Sequence, residues 1–217
     1  MSSLMEPVSG SNVTYLKIIK GSFRQEVEAG TPGAKTREWE AAGNSGVKHE
    51  LIWKNLRGII DSVLIDDVTF NDGKAIQVLK VRVTNGDEAA QFSTQTNSRF
   101  AIDFMKKLPN IKPGVEVSIN PYDFEPKPGE KKTGMNIVQD GEKIYSAYWD
   151  NEKKKPLKGI PVVEDSTGFD SDDWKMHFVK EKKFLVKETI KLSPNFVSVK
   201  AETVPPTEEG EQDGLPF

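Results

Sequence analysis

Residues 50–149 consist largely of short runs in which apolar and polar residues alternate, and turn signals separate these runs. The clearest run is 75–84, where Leu79 and Val81 would face a core while Lys80 faces outward. Such alternation is typical of half-buried β-strands, and the 13 prolines and 17 glycines of the chain indicate many turns. This segment is therefore predicted to form a sheet with one buried face.

The predicted elements of this segment follow the order strand, strand, strand, helix, strand, strand. They are 50–70 with a bend at Gly58, 75–84 after the Asn71–Lys74 turn, a short strand at 91–95, the helix 98–108, a strand around Val115, Val117 and Ile119, and the hairpin 134–149 turning at Asp140-Gly141. This is the order of a five-stranded OB-fold barrel. The spacing leaves an SH3-like or other small barrel open as an alternative.

The helix is predicted from its apolar face and its end signals. Asn97 or Ser98 can cap its first turn, and Pro109 follows its end. Five apolar residues share one face of this helix, so we expect them to lie in the core. They are Phe100, Ala101, Phe104, Met105 and Leu108.

The flanking segments lead to a four-part division. We expect a disordered N-terminus at 1–10, an OB-fold domain with an N-terminal extension strand (15–23) at 11–161, a helical appendage at 162–203 with its helix at 172–192, and a disordered acidic tail at 204–217. Three segments rich in Gly, Pro or charge are predicted to be loops or linkers: 26–48, 121–133 and 151–161.

The charge of the chain is distributed unevenly. The net charge is −3, but residues 201–217 hold five acidic residues and no Lys or Arg, so 28 acidic residues remain against 30 basic ones elsewhere. A slightly basic body with an acidic tail suggests an anionic partner for the body. The chain has no cysteine, no leader-like N-terminus and no apolar run of about 20 residues, so we expect a cytoplasmic protein.

Basic and aromatic residues are interleaved on the predicted strands. Single-stranded DNA presents a charged backbone and apolar base faces, so a protein that binds it needs cations and exposed rings together. The candidates for DNA binding are Trp53, Lys54, Arg57, Lys80, Arg82, Phe92, Tyr122, Phe124, Lys131, Lys132, Tyr145, Tyr148 and Trp149. The alternative is that these rings belong to the core and that these cations are solvated.

The tail combines acidic residues with an apolar tip, Leu215-Pro216-Phe217. A flexible acidic peptide of this kind can insert its last ring into a pocket of a partner, while basic residues around that pocket attract its charge. Asp213 and the three tip residues are the candidate partner-binding site. A tail that only aids solubility is the alternative.

These features resemble the small phage and bacterial OB-fold single-stranded-DNA-binding proteins. The tail is similar to their acidic tip, with Leu215 where isoleucine is usual, and further likeness lies in Leu56–Ile60, Ser98–Ala101 and Thr133–Ile137 leading into Asp140–Glu142. The resemblance covers about 12–150 and the last five residues. It implies DNA replication, recombination or repair, with partners such as a polymerase, primase, helicase or nuclease.

Enzymatic functions find little support in the sequence. There is no phosphate-binding glycine loop, and His49 and His177 lie far apart. Asp66-Asp67 and Asp172-Asp173 are predicted to be a turn and a helix N-terminus rather than metal ligands. We therefore expect sequence-tolerant binding of single-stranded DNA without catalysis, cofactor or metal. A protein-interaction adaptor and an RNA-binding protein are the alternatives.

Overall fold

The computed structural model describes residues 13–41, 44–69, 75–157, 159–163 and 165–197. The strands are β1 (Val13–Ile19), β2 (Ser22–Val27), β3 (Lys35–Ala41), β4 (Asn44–Trp53), β5 (Leu56–Thr69), β6 (Ala75–Asn85), β7 (Glu88–Gln95), β8 (Glu116–Phe124), β9 (Lys132–Gln139), β10 (Glu142–Lys143), β11 (Trp149–Asp150) and β12 (Lys155–Pro156). The helices are α1 (Arg99–Lys107) and α2 (Ser171–Leu192), and each is followed by a 3₁₀ turn, Leu108–Asn110 and Ser193–Phe196.

Ten of these strands form one open mixed sheet in the order β10-β9-β8-β5-β6-β7-β1-β2-β4-β3. Only the β1–β7 pair is parallel among the strand pairs described. The structure confirms a mostly β protein with one helix after the third predicted strand and one long C-terminal helix. None of the described helices is long and apolar enough to cross a membrane.

The central hairpin β5–β6 agrees with the alternation in the sequence. The two strands pair from Ile59↔Thr84 to Thr69↔Ala75, so the chain does reverse between them; the predicted turn itself, 71–74, lies outside the described residues. Leu79 and Val81 are fully buried, as predicted. They belong to a core that the sheet shares with α1 through Ala101, Phe104, Met105 and Leu108.

The N-terminal part contains more strand than predicted. The single expected strand 15–23 is two strands, because Lys20 and Gly21 both have positive φ and turn the chain tightly. The expected loop 26–48 is wrong, because it contains β3 and the first half of β4, which pair from Lys35↔Glu50 to Ala41↔Asn44. Polar residues on both faces of β3 remove the alternation by which a strand is identified.

Gly58 is needed for a close approach of two strands, not for a bulge. A Cβ atom built on it would lie 2.3 Å from the carbonyl oxygen of Thr84. The irregularity in the β5–β6 register lies further on, between Ile60 and Ser62. The strand predicted to be interrupted at Gly58 is therefore irregular a few residues after it.

The hydrogen bonds between the described strands do not close the predicted barrel. The free edge of the third predicted strand, β7, is taken by β1. On the fifth, β9, the Met135 N–H donates to Asp103 Oδ2 at 2.6 Å, and the Met135 carbonyl accepts from Lys107 Nζ. Side chains of α1 thus satisfy the edge where a closing strand would pair. The turn at Gly21 packs on β8, since a Cβ there would lie 2.4 Å from the backbone nitrogen of Asp123.

The C-terminal third also differs from the predicted elements. β8 runs through Pro121 to Phe124, so the predicted loop 121–133 begins later. The predicted hairpin 134–149 pairs only as far as Lys143, and Trp149-Asp150 pairs instead with Lys155-Pro156 inside the predicted linker.

Helix α2 is confirmed over its whole predicted length, 172–192, and begins one residue earlier, at Ser171. Asp170 caps it and forms a capping box with Asp173. Leu185, Val186 and Phe196 lie in the same core cluster as the sheet. The helix therefore packs as a part of the main core.

Candidate nucleic-acid interface

The residues predicted to bind DNA do not lie on one surface. Lys80 and Arg82 lie on β6, whereas Trp53 and Arg57 lie beside a cleft at one end of the sheet. Tyr122 and Phe124 lie at the end of β8, and Tyr145 and Trp149 lie near α2. Lys54, Lys131 and Lys132 are exposed in or beside turns. The two remaining rings, Phe92 and Tyr148, are buried.

Lys80 and Arg82 point away from the core, as predicted. Lys80 Nζ lies 2.5 Å from Asp66 Oδ2, and this hydrogen bond lowers the pKa of Asp66. Arg82 Nε lies 3.4 Å from Asp61 Oδ2, and burial raises the pKa of Asp61. Both basic side chains are about one-third exposed, so they can still reach an anion at the surface.

The outward side of β6 continues across the sheet. Lys80 is paired with Ser93 and Arg82 with Gln91, and these two residues of β7 are paired with residues of β1. The pairing then runs through β2 and β4 to β3, and paired residues in a sheet share a face. The pairing places seven further residues on the same side of the sheet as Lys80 and Arg82: Tyr15, Lys17, Arg24, Lys35, Arg37, Trp39 and Lys48. We call these nine residues the basic face.

Glu50 holds two arginines of the basic face together. Its carboxylate accepts from Arg24 at 2.7 Å and from Arg37 at 2.6 and 3.0 Å, and only 3% of the residue is exposed. The hydrogen bond from Arg37, followed by that from Arg24, lowers the pKa of Glu50 to about 2. Since the three residues lie on β4, β2 and β3, this cluster joins the N-terminal strands and fixes both guanidinium groups.

A second ion-pair cluster lies beside it. Glu26 accepts from Lys48 at 2.6 Å and lies 3.7 Å from Lys17, and the Lys48 hydrogen bond lowers the pKa of Glu26. The described cations of the basic face number seven, against the four carboxylates Glu26, Glu50, Asp61 and Asp66 that pair with them. The face therefore keeps an excess of positive charge that favours an anionic ligand.

Trp53 lies on the opposite side of the sheet from the basic face, because it is paired with the buried Phe23. It is 37% exposed and lines a cleft of about 560 Å³ together with Leu16, Asn55 and Arg57. Arg57 is engaged with Glu116 at 2.7 Å. Trp53 and Arg57 are thus brought together, but away from Lys80 and Arg82.

Tyr122 and Phe124 form a second aromatic group, with ring centroids 5.8 Å apart. Tyr122 lies over Gly134, where a Cβ would be 2.6 Å from its hydroxyl oxygen, and burial raises the pKa of Tyr122. Its ring lines a cleft of about 730 Å³ between β8, α1 and α2, together with Arg99, Lys182 and the exposed Phe178. The exposed Lys131 and Lys132 lie at the entrance of β9 beside Phe124.

Two predicted site residues are corrected by their burial. Phe92 is fully buried between Phe23 and Phe104, with centroid distances of 5.4 and 6.0 Å, so no face of its ring is open to a base. Tyr148 is 6% exposed and packs edge-on against Phe184. Tyr145 and Trp149 remain about half exposed, and Lys143 Nζ lies 5.5 Å from the Tyr145 ring.

Tyr15, Lys17 and Trp39 were not predicted as site residues from the sequence, and neither were the basic residues of β2, β3 and β4. The signal for Tyr15 and Lys17 is their alternation with Leu16 and Ile18, within a strand that was recognised. For β3 the signal is the spacing of Lys35, Arg37 and Trp39 at every second residue. The polar residues between them hide this spacing, so the segment is predicted to be a loop.

The histidine and aspartate residues considered for catalysis or metal binding lie within the secondary structure of the fold. Asp66 and Asp67 lie within β5 and not in a turn, which corrects that prediction. Asp172 and Asp173 lie in the first turn of α2, as predicted. His49 lies on β4 with Nδ1 3.4 Å from the Thr36 hydroxyl, and His177 lies among the rings of Trp174 and Phe178. Within the described ranges, no cluster of three or more His, Asp or Glu suits a metal ion.

Comparison with protein-family models found no match, and comparison with curated proteins found none of significance. The candidate partner-binding residues Asp213, Leu215, Pro216 and Phe217 lie outside the described residues. Among the described residues, the basic face and the two aromatic clefts are the features that bear on function.

Proposed function

We propose that this protein binds single-stranded DNA, without strong sequence preference, on an OB-fold-like sheet. The observation that carries the proposal is the continuous basic face, where excess positive charge lies beside the exposed ring of Tyr15 and the half-buried ring of Trp39. A single strand needs both features, since its phosphates require cations and its bases require rings. Duplex DNA hides its base faces and would gain only the charge term.

The order of the central strands supports the OB-fold part of the proposal. Counted from β5, the strands lie in the order fifth, fourth, first, second, third, with α1 between the third and the fourth. An OB-fold has this order and closes by pairing its third and fifth strands. Here α1 and the parallel strand β1 occupy the two edges that would meet.

The proposal includes a role for the acidic tail. Asp213 and the tip Leu215-Pro216-Phe217 would bind a replication, recombination or repair protein while the sheet holds DNA. The acidic residues would meet a basic pocket rim on that protein, and the Phe217 ring would fill the pocket.

A protein-interaction adaptor is the second candidate, and one observation favours it. Helix α2 exposes Met176, Phe178 and Val179, each between 47% and 57%. Exposed apolar side chains grouped on one helix are typical of protein contacts. An adaptor would not require the basic face, so DNA titration separates the two functions.

The test is a titration of labelled single-stranded and duplex DNA at several salt concentrations. We expect single strands to bind more tightly, with a log–log salt slope of about −0.7 for each phosphate contact. Lys80→Ala should weaken binding and reduce this slope. Lys191→Ala is the matched control, because it also removes one exposed ion pair, here to Glu188 on α2. A flat salt dependence, or equal effects of the two variants, would contradict the proposal; equal binding of an RNA strand would widen it to RNA.

A further inference from the structure

The β3–β4 hairpin carries an aromatic ring that lies over a glycine on the basic face. Trp39 is paired with Gly46, and a Cβ atom built on Gly46 would lie 3.0 Å from Trp39 Nε1 and 3.4 Å from Cε2. The indole therefore occupies the space above the glycine that a side chain would otherwise fill. Trp39 remains half-buried, so part of its ring is accessible at the surface.

A cation lies against this ring, and a second basic residue of the same face is close in sequence. Lys48 Nζ lies 5.5 Å from the centroid of the Trp39 ring, within the range of a cation–π contact. Lys48 is itself held by Glu26, and Arg37, two residues before Trp39 on the same face, is held by Glu50. The ring and its neighbouring cations are thus positioned before any ligand binds, which reduces the entropy that binding would cost.

Trp39 lies far from β6, which carries the predicted DNA-binding residues Lys80 and Arg82. From β6 to β3 the sheet order makes five steps, β6-β7-β1-β2-β4-β3. At about 4.8 Å between neighbouring strands, this is roughly 24 Å along the basic face. Lys17 and Arg24 lie between, so a strand crossing the sheet would meet positive charge over the whole distance.

We propose that Trp39 is a base-stacking platform, and that the N-terminal hairpins β1–β2 and β3–β4 extend the single-strand path beyond the OB-fold-like strands. This inference rests on the proposed function and adds a specific second subsite to it. A partly exposed ring beside cations fits a nucleobase with its neighbouring phosphates, since stacking on a ring accepts every base and the cations meet the backbone.

The experiment compares oligothymidylates of about 4 and about 16 nucleotides, the range of site sizes found for one OB-fold. Trp39→Ala should reduce the affinity for the long oligonucleotide by about 5- to 150-fold, the loss expected for one stacked base. The short oligonucleotide can bind elsewhere on the basic face, so Trp39→Ala should reduce its affinity less. Trp39→Phe should keep most of the affinity because it keeps a ring, whereas Trp39→Leu should behave like Trp39→Ala.

Controls separate this inference from folding and from the proposed function. Val47→Ala changes an exposed apolar residue on the other side of the same hairpin and should leave both affinities unchanged. Melting temperatures identify any variant that is simply unfolded. DNA should also quench less fluorescence in Trp39→Phe than in the wild type, which holds four tryptophans. If the wild type binds the long strand while Trp39→Ala and Trp39→Leu bind it equally well, the platform is disproved and the proposed function stands. If the wild type binds neither strand, the proposed function itself fails.

Discussion

At the scale of single residues, the carboxylate of Glu50 connects stability with the proposed interface. It lies beneath Arg24 and Arg37, and without it two guanidinium groups would face each other across β2, β4 and β3 with no counter-charge between them. The pKa of Glu50 falls from an ordinary 4.5 to about 2 in the folded protein. The folded state therefore binds the proton of Glu50 less readily than the unfolded state, so this group stabilises the fold above the unfolded pKa.

We predict that Glu50→Gln lowers the free energy of unfolding by about 3 kcal/mol at neutral pH, because one pKa unit corresponds to about 1.4 kcal/mol. The contribution is fully present above pH 4.5 and is lost as the pH falls towards 2. Urea unfolding at pH 7 and pH 3 should thus show a smaller difference between wild type and variant at pH 3. Glu26→Gln is the control on the same face, and its solvent-exposed ion pairs should contribute much less to stability. A difference for Glu50→Gln that grows on acidification would contradict this account.

The rings of Phe92 and Trp53 should respond to truncation in different ways. Phe92→Ala removes a fully buried ring and should cost about 3–5 kcal/mol of stability. Trp53 is 37% exposed beside a cleft, so Trp53→Ala should cost less stability and, if the ring stacks on a base, about 1–3 kcal/mol of DNA binding. Melting temperature and affinity measured on the same variants distinguish these outcomes. A stable Trp53→Ala variant with unchanged affinity would remove Trp53 from the site.

At the scale of elements, the strands with one buried face were predictable and the strands outside that pattern were not. Leu79, Val81 and Val83 alternate with Lys80 and Arg82, and the structure confirms that strand. β3 instead reads Lys35-Thr36-Arg37-Glu38, with polar residues on both faces, and only its pairing with β4 makes it a strand. Pairing across the sheet, such as the parallel contact between β1 and β7, has no local signal in the sequence.

The same limit applies to the candidate site. Outward cations on β6 followed from alternation, but the burial of Phe92 and Tyr148 depends on contacts with Phe104 and Phe184, which lie in α1 and α2. A ring on a strand can face either side of the sheet, and its neighbours on distant elements decide which side is covered. The row of Tyr15, Arg24 and Arg37 is likewise visible only once the register of the strands is known.

Helix α2 offers a test of whether the C-terminal part is a separate appendage. Leu185 is fully buried in the core cluster that α2 shares with the sheet, whereas Ile190 on the same helix is 54% exposed. Leu185→Ala should therefore cost about 2–5 kcal/mol and lower the single melting transition of the whole domain. Ile190→Ala should change stability by at most about 0.5 kcal/mol. A separate early transition that leaves the sheet folded would show that α2 is an independent unit.

At the scale of the whole molecule, charge is divided between a body with a basic face and an acidic segment, 201–217. The two are joined by one chain, so the acidic segment is present near the body at an effective concentration of about millimolar. Attraction between them would compete with DNA for the same cations. Because solvent-exposed charges are screened by salt, this competition should be strongest at low ionic strength.

We therefore predict that neutralising Glu208, Glu209, Glu211 and Asp213 to Gln or Asn raises the affinity for single-stranded DNA at low salt, with a difference that shrinks as salt is added. Phe217→Ala keeps every acidic residue, so it should leave DNA affinity unchanged while abolishing binding to the partner protein that receives the tip. Fluorescence anisotropy with a labelled oligothymidylate at about 20 and about 200 mM salt measures the first effect, since the Debye length falls roughly threefold over a tenfold change in salt. Weaker DNA binding after neutralisation would mean that the acidic segment belongs to the DNA site or to the fold. An equal gain at both salt concentrations would mean that the acidic residues act otherwise than through charge.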